Sequence, residues 1–175
     1  MASNMIVLFL MMPLMVPVTI ATYSIVGEKI TRSLEPLPAT PITTTRLLLA
    51  KGFAAAAPGV LMTWICYVVF LIVTRFLVVS DRVYAVFVNP MWLVAMFVLA
   101  PLLTVMAVNV GIIVSSRVSD PRAAEQLCSL IVLPLMLFFV GATAGIVMLS
   151  STTFLVAAAV IAAIDVMLVY MGTFF

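Results

Sequence analysis

Histidine is absent from this 175-residue chain, and charge is scarce: Asp, Glu, Lys and Arg together make up 8% of it. Without histidine, the usual nucleophile–imidazole triads and most transition-metal sites are excluded. Neither GxxxxGK[ST] nor GxGxxG occurs, so the chain has no recognisable phosphate cradle of its own. Any ATP used must be bound by another subunit, and neither an enzymatic activity nor a cofactor is expected. There are two cysteines, Cys66 in an apolar run and Cys128 near a loop beyond the next one, a placement that predicts neither a disulfide nor a metal pair. Pro- or Ser-rich linkers, low-complexity tracts and fixed-period repeats are missing too. The net charge of +2 is too small and too dispersed for a nucleic-acid partner.

What fills the chain is apolar: 66% of residues are hydrophobic and the mean hydropathy is +1.40. A soluble domain is roughly half apolar and a quarter charged. The composition therefore indicates an integral membrane protein, all-α, folded as one polytopic helix bundle. A transmembrane helix needs about 20 mostly apolar residues. Five segments qualify: roughly 5–26, 53–74, 92–114, 130–149 and 154–174. The N-terminal run lacks the basic flank and cleavage pattern of a signal peptide and reads as a retained helix. Thirteen methionines, among them Met5, Met11, Met12 and Met15, are better explained as adaptable packing than as soft-metal ligands.

The loops set the orientation. Loop 27–52 holds Lys29, Arg32, Arg46 and Lys51, and loop 115–129 holds Arg117 and Arg122. The segment between the second and third spans holds only Arg75 and Arg82. Because Lys and Arg accumulate in cytoplasmic loops, the N-terminus is expected outside and the C-terminus inside. The outer segment RFLVVSDRVYAVFVNPMW is too apolar to be freely solvated, and Tyr84 and Trp92 are expected at headgroup level.

Several positions stand out within the spans. Pro13, Pro17 and Pro58, the last beside Gly59, are expected to bend their helices. Gly141 and Gly145 have the GxxxG spacing that permits close helix approach, or they are simply glycines of a membrane helix. Asp165 is the one ionisable residue deep in an apolar run. It reads either as a functional group, even the centre of an intramembrane enzyme, or as a packing aspartate paired with Asn109 of the third span. In loop 115–129, Asp120 is placed to cap a helix begun by Pro121, with Arg122 and Glu125 one turn apart on it.

The least lipid-compatible run is GEKITRSLEPLPATPITTTRLLLAKG, residues 27–52. Its first part keeps helical period: Glu28, Arg32 and Glu35 share one face at ion-pairing spacings, with Val26, Ile30, Leu34 and Leu37 opposite. Pro36 and Pro38 stop that helix. Thr40 then suits an N-cap and Pro41 a first helical position, with Ile42, Thr45, Arg46 and Leu49 on one face. An amphipathic helix of this kind can serve simply as an interfacial anchor.

This run also resembles the corresponding segment of ABC exporter permeases of the type-2 class, whose usual form reads approximately GEKE-x-x-TLE-x-LL-x-TPI-x-x-x-x-LLLGK. Gly27, Glu28, Lys29, Leu34, Glu35, Leu37, Thr40, Pro41, Ile42, the leucine run and Lys51 match it. Pro38 replaces a usual leucine, and Ala50 stands where glycine is common. SSRVSDPRAAEQL followed by an apolar span with Pro134 resembles the next cytoplasmic loop of such permeases. The resemblance implies a coupling helix formed by Pro41, Ile42, Thr43, Thr44, Thr45, Arg46 and Leu47, resting on a separate ATP-binding subunit. It implies that Glu28, Arg32 and Glu35 support the helix leading into it, and that Arg117, Asp120, Arg122 and Glu125 form a second cytoplasmic loop. The implied protein is a homo- or hetero-oligomer among lipids, in a prokaryotic cytoplasmic membrane. Such permeases usually begin with a basic interfacial helix and a further span and end in a charged tail, so the expectation is a chain truncated or fragmentary at both ends. The alternative is a non-transporting scaffold or accessory subunit of a larger membrane complex, derived from such a permease.

Overall fold

The computed structural model describes residues 2–30, 44–77, 81–143 and 150–173. These form seven α-helices and one π-helical turn, with no strand among the described residues. In chain order they are α1 (Ala2–Ile30), α2 (Thr44–Leu77), α3 (Asp81–Phe87), α4 (Pro90–Val94), the π turn (Ala95–Leu99), α5 (Ala100–Arg117), α6 (Pro121–Thr143) and α7 (Ser151–Thr173). Four stretches are long and apolar enough to cross a membrane: Gly52–Leu77, Tyr84–Arg117, Pro121–Gly141 and Ser151–Tyr170. In α1 the corresponding stretch, Leu8–Ser24, is shorter. By length and composition the chain is a helical membrane bundle. Lipid offers no partner to backbone N–H and C=O groups, so segments this apolar must pair them internally as helix. That demand carries the helices through Pro13, Pro17, Pro58 and Pro134.

The rod from α4 through α5 is the axis of the bundle. Half of its most apolar window is buried, against 22% in each of the other three spans. Helices α1, α2, α6 and α7 all pack on α5, and α6 also lies against α1. Near its start, α1 sets Phe9 beside Tyr67 and Phe70 of α2 and Trp92 of α4. Further along, Pro17 meets Gly59 and Ala21 meets Gly111. Helix α1 therefore runs parallel to α5 and antiparallel to α2. At Gly59 an added Cβ would collide with Cγ of the Pro17 ring, and at Gly111 it would lie 3.0 Å from the Ala21 methyl. Small residues that let backbones approach are the usual means of helix association in lipid. The outer faces are hydrocarbon, with Ile65 and Phe76 of α2, Leu137 of α6 and Val156 of α7 exposed.

Two side chains of α2 satisfy carbonyls left unpaired in the central rod and at the end of α3. Within the π turn the Ala100 N–H bonds to the Ala95 carbonyl, one residue further back than in an α-helix. The Met96 carbonyl would next look to residue 101, a proline with no N–H. The Trp64 indole N–H donates to it instead, at 3.0 Å. Similarly, the Met91 N–H is capped by the Asn89 side chain at 3.1 Å, which leaves the Phe87 carbonyl without its helical donor. The Tyr67 hydroxyl donates to that carbonyl at 2.8 Å.

Several sequence expectations are altered here. Trp92 is not at the lipid surface: it is 1% exposed and sits among Phe9, Tyr67, Phe70 and Phe87. Burial among rings holds it more strongly than an interfacial position would. Tyr84 is half-buried, with the Arg75 guanidinium 5.4 Å above its ring. Helix α6 starts at Pro121, ahead of the span expected from near Leu130, because the capped helix runs directly into the apolar segment. Helix α2 is unbroken from Thr44, so the residues before Phe53 belong to the same rod as the second span. Gly141 ends the apolar part of α6, half-buried, while Gly145 lies outside the described residues.

Candidate functional site

The helix directions bring the C-terminal ends of α1, α5 and α7 to the same end of the bundle as the N-terminal ends of α2 and α6. The described parts of segments 27–52 and 115–129 therefore share that end, with Lys29, Arg46, Lys51, Arg117 and Arg122. Helix α1 continues to Ile30, beyond its apolar stretch, and α2 begins at Thr44, before its own. Of the residues implied as a coupling helix, Thr44, Thr45, Arg46 and Leu47 make up the first turn of α2. Pro41, Ile42 and Thr43, together with Arg32 and Glu35, lie outside the described residues. Glu28 is in the last turn of α1.

The second segment at this end is well defined. Asp120 caps α6: its carboxylate accepts from the N–H groups of Arg122 and Ala123, both at 3.3 Å, and its carbonyl accepts from Ala124 at 3.0 Å. Pro121 follows as the first helical residue, where its missing N–H costs nothing. Arg117 ends α5. One turn into α6, Glu125 accepts a 2.8 Å hydrogen bond from the Thr19 hydroxyl of α1. The Met15 carbonyl is the poorer acceptor for that hydroxyl, at 3.3 Å. Glu125 thus ties the start of α6 to α1 rather than pairing along its own helix with Arg122. Arg122 and Glu125 both line a cavity of about 640 Å3, with Tyr23 of α1 on its other side.

Deeper in the bundle, α7 presents Phe154, Ala158, Ile161 and Asp165 on its buried face. Asp165 is 6% exposed, and it is the only buried carboxyl among the described residues. Asn109 of α5 is its polar neighbour, as the sequence suggests. The geometry nevertheless falls short of a hydrogen bond: both Asp165 oxygens and the Asn109 amide nitrogen are buried without a partner among the described residues. An apolar cavity of about 500 Å3 lies beside the pair, lined by Asn109 and by Val169, one turn from Asp165. A second, of about 680 Å3, lies between α6 and α7, lined by Ile161, Ile164 and Leu168. Helix neighbours of Asp165 thus line two apolar spaces. Among the described residues no group of three His, Cys, Asp or Glu side chains comes together as a metal site.

The positions that organise this arrangement were mostly silent in the sequence. Thr19 and Tyr67 look like ordinary residues of apolar helices. Gly59 reads as half of a Pro-Gly kink, not as the seat of Pro17. Gly111 stands in a small-residue row with Ala107 and Ser115 at spacing four, but the row does not say that its partner is Ala21 on another helix. No family model, curated protein or solved structure matches the chain.

Proposed function

We propose that the chain is the membrane-spanning permease subunit of an ATP-driven ABC exporter of the type-2 class, working with a separate ATPase subunit. The observation that carries this reading is the GEKI…LLLAK run, which joins two helices that both outlast their apolar stretches, on the basic end of the bundle. In this reading α1 is a fifth span, and the positive-inside rule puts the basic end in the cytoplasm and the N-terminus outside. The membrane is the cytoplasmic membrane of a prokaryote, and the functional unit is a homo- or hetero-oligomer.

Coupling then uses α2 as a lever. The residues from Pro41 to Leu47 rest on the ATPase, and four of them are already the first turn of a helix that runs unbroken to Leu77. A push at that turn is passed along the rod. Gly52 bears on Val108 and Ile112 of α5, and Gly59 bears on Pro17 of α1. Closure of the ATPase would tilt α2 against both.

The test is the complex purified from its own membrane. A nucleotide-binding subunit should co-purify, and Arg46→Glu should uncouple ATP hydrolysis from transport, leaving hydrolysis within about twofold while transport drops at least tenfold, a coupling change of about 1.4 kcal/mol. Stoichiometric unrelated membrane subunits with no ATPase would overturn the reading and favour the scaffold. So would a bound ATPase indifferent to every change from Pro41 to Leu47.

A further inference from the structure

Helix α6 enters the membrane with a graded face. Arg122, Gln126, Ser129, Leu130 and Leu133 recur at helical spacing and line one cleft, closed on the α1 side by Tyr23. From Arg122 to Leu133 the axial rise is about 16 Å, enough to reach from the headgroup layer into the first acyl carbons. Among the described residues, both ionic groups of the cleft are at its outer end and both leucines at its inner end, 65% and 45% exposed. Glu125 accepts its described side-chain hydrogen bond from the Thr19 hydroxyl, and Ser129 donates to the Glu125 carbonyl at 2.9 Å. The carboxylate is therefore held on the rim at a fixed place, one turn from a guanidinium to which it is not bonded.

We propose that this α1–α6 cleft binds a zwitterionic aminophospholipid, with its phosphate on Arg122, its ammonium on Glu125 and its acyl chain along Leu130 and Leu133. The charge pattern selects among headgroups. A purely anionic head gains Arg122 but faces Glu125. A choline head carries no N–H to donate to the carboxylate. Only a primary ammonium next to a phosphate satisfies both charges with hydrogen bonds. The proposal requires that the chain lies in a membrane and is independent of the transport reading.

The test is to reconstitute the purified protein, with whatever subunits accompany it, in bilayers of equal parts phosphatidylethanolamine, phosphatidylcholine and phosphatidylglycerol, and to count retained lipids by native mass spectrometry. Phosphatidylethanolamine should be enriched roughly fivefold, the scale of a partly screened charge-assisted hydrogen bond. Glu125→Gln keeps an acceptor for Thr19 but removes the charge, and it should abolish the preference over phosphatidylcholine. Arg122→Gln should reduce retention of all three lipids. Thr19→Val loosens the helix contact without changing a charge and should leave the preference intact. Equal retention of the three lipids by the unaltered protein would overturn the proposal, as would an undiminished preference in Glu125→Gln.

Discussion

At Gly59, one hydrogen in place of a methyl sets how closely α1 and α2 approach. The opposing atoms belong to the Pro17 ring, which has no rotamer in which to retreat. Gly59→Ala must therefore push the helices apart, at a cost of about 1–3 kcal/mol, typical of overpacking. Gly27 is also helical but has nothing within 4 Å of an added Cβ. There alanine should be neutral or stabilising by up to about 1 kcal/mol, since it is the better helix former. Thermal unfolding of the two variants in the same detergent checks the contrast; equal losses would contradict the packing described here. Asp165 poses a different question at this scale. Its carboxyl has no donor within the described bundle, and the sequence could foresee its neighbour but not the missing hydrogen bond.

The central rod is where single elements depend on one another. The π turn and Pro101 together free the Met96 carbonyl, and α2 supplies Trp64 to occupy it. Trp64→Phe should cost about 1–3 kcal/mol by leaving that carbonyl buried and unpaired. Pro101→Ala restores a backbone donor in the right turn, so Trp64→Phe should cost less in that background. A double-mutant cycle measures the difference, and strict additivity would sink the account. Much of the element layout is legible beforehand, because apolar run lengths and the Asp120–Pro121 start are local signals. The π turn is not local: it depends on a tryptophan in another helix. The continuity of α2 was hidden for another reason. Thr40–Pro41 announces a start and Phe53 an apolar onset, which together look like two helices. Yet between Thr44 and Phe53 only Gly52 disfavours helix, and one glycine costs only about 1 kcal/mol. Trp92 misled because aromatic belts and buried aromatic clusters use the same residues at span ends.

For the whole molecule, the arrangement of charge and of helix directions converges on one end. The described parts of segments 27–52 and 115–129 lie together there, and α1 and α6 are clasped near it by Thr19 and Glu125. Toward the opposite end lies the Phe9–Tyr67–Phe70–Phe87–Trp92 cluster. In the proposed reading the soluble ATPase subunit docks at the charged end. The most direct measurement is a photo-crosslinking amino acid placed at position 46 in the native membrane, with the adduct identified by mass spectrometry. The account predicts an adduct with a nucleotide-binding ATPase subunit, whose yield changes when ATP is added. Adducts with lipid or integral membrane proteins alone, with and without ATP, would contradict it.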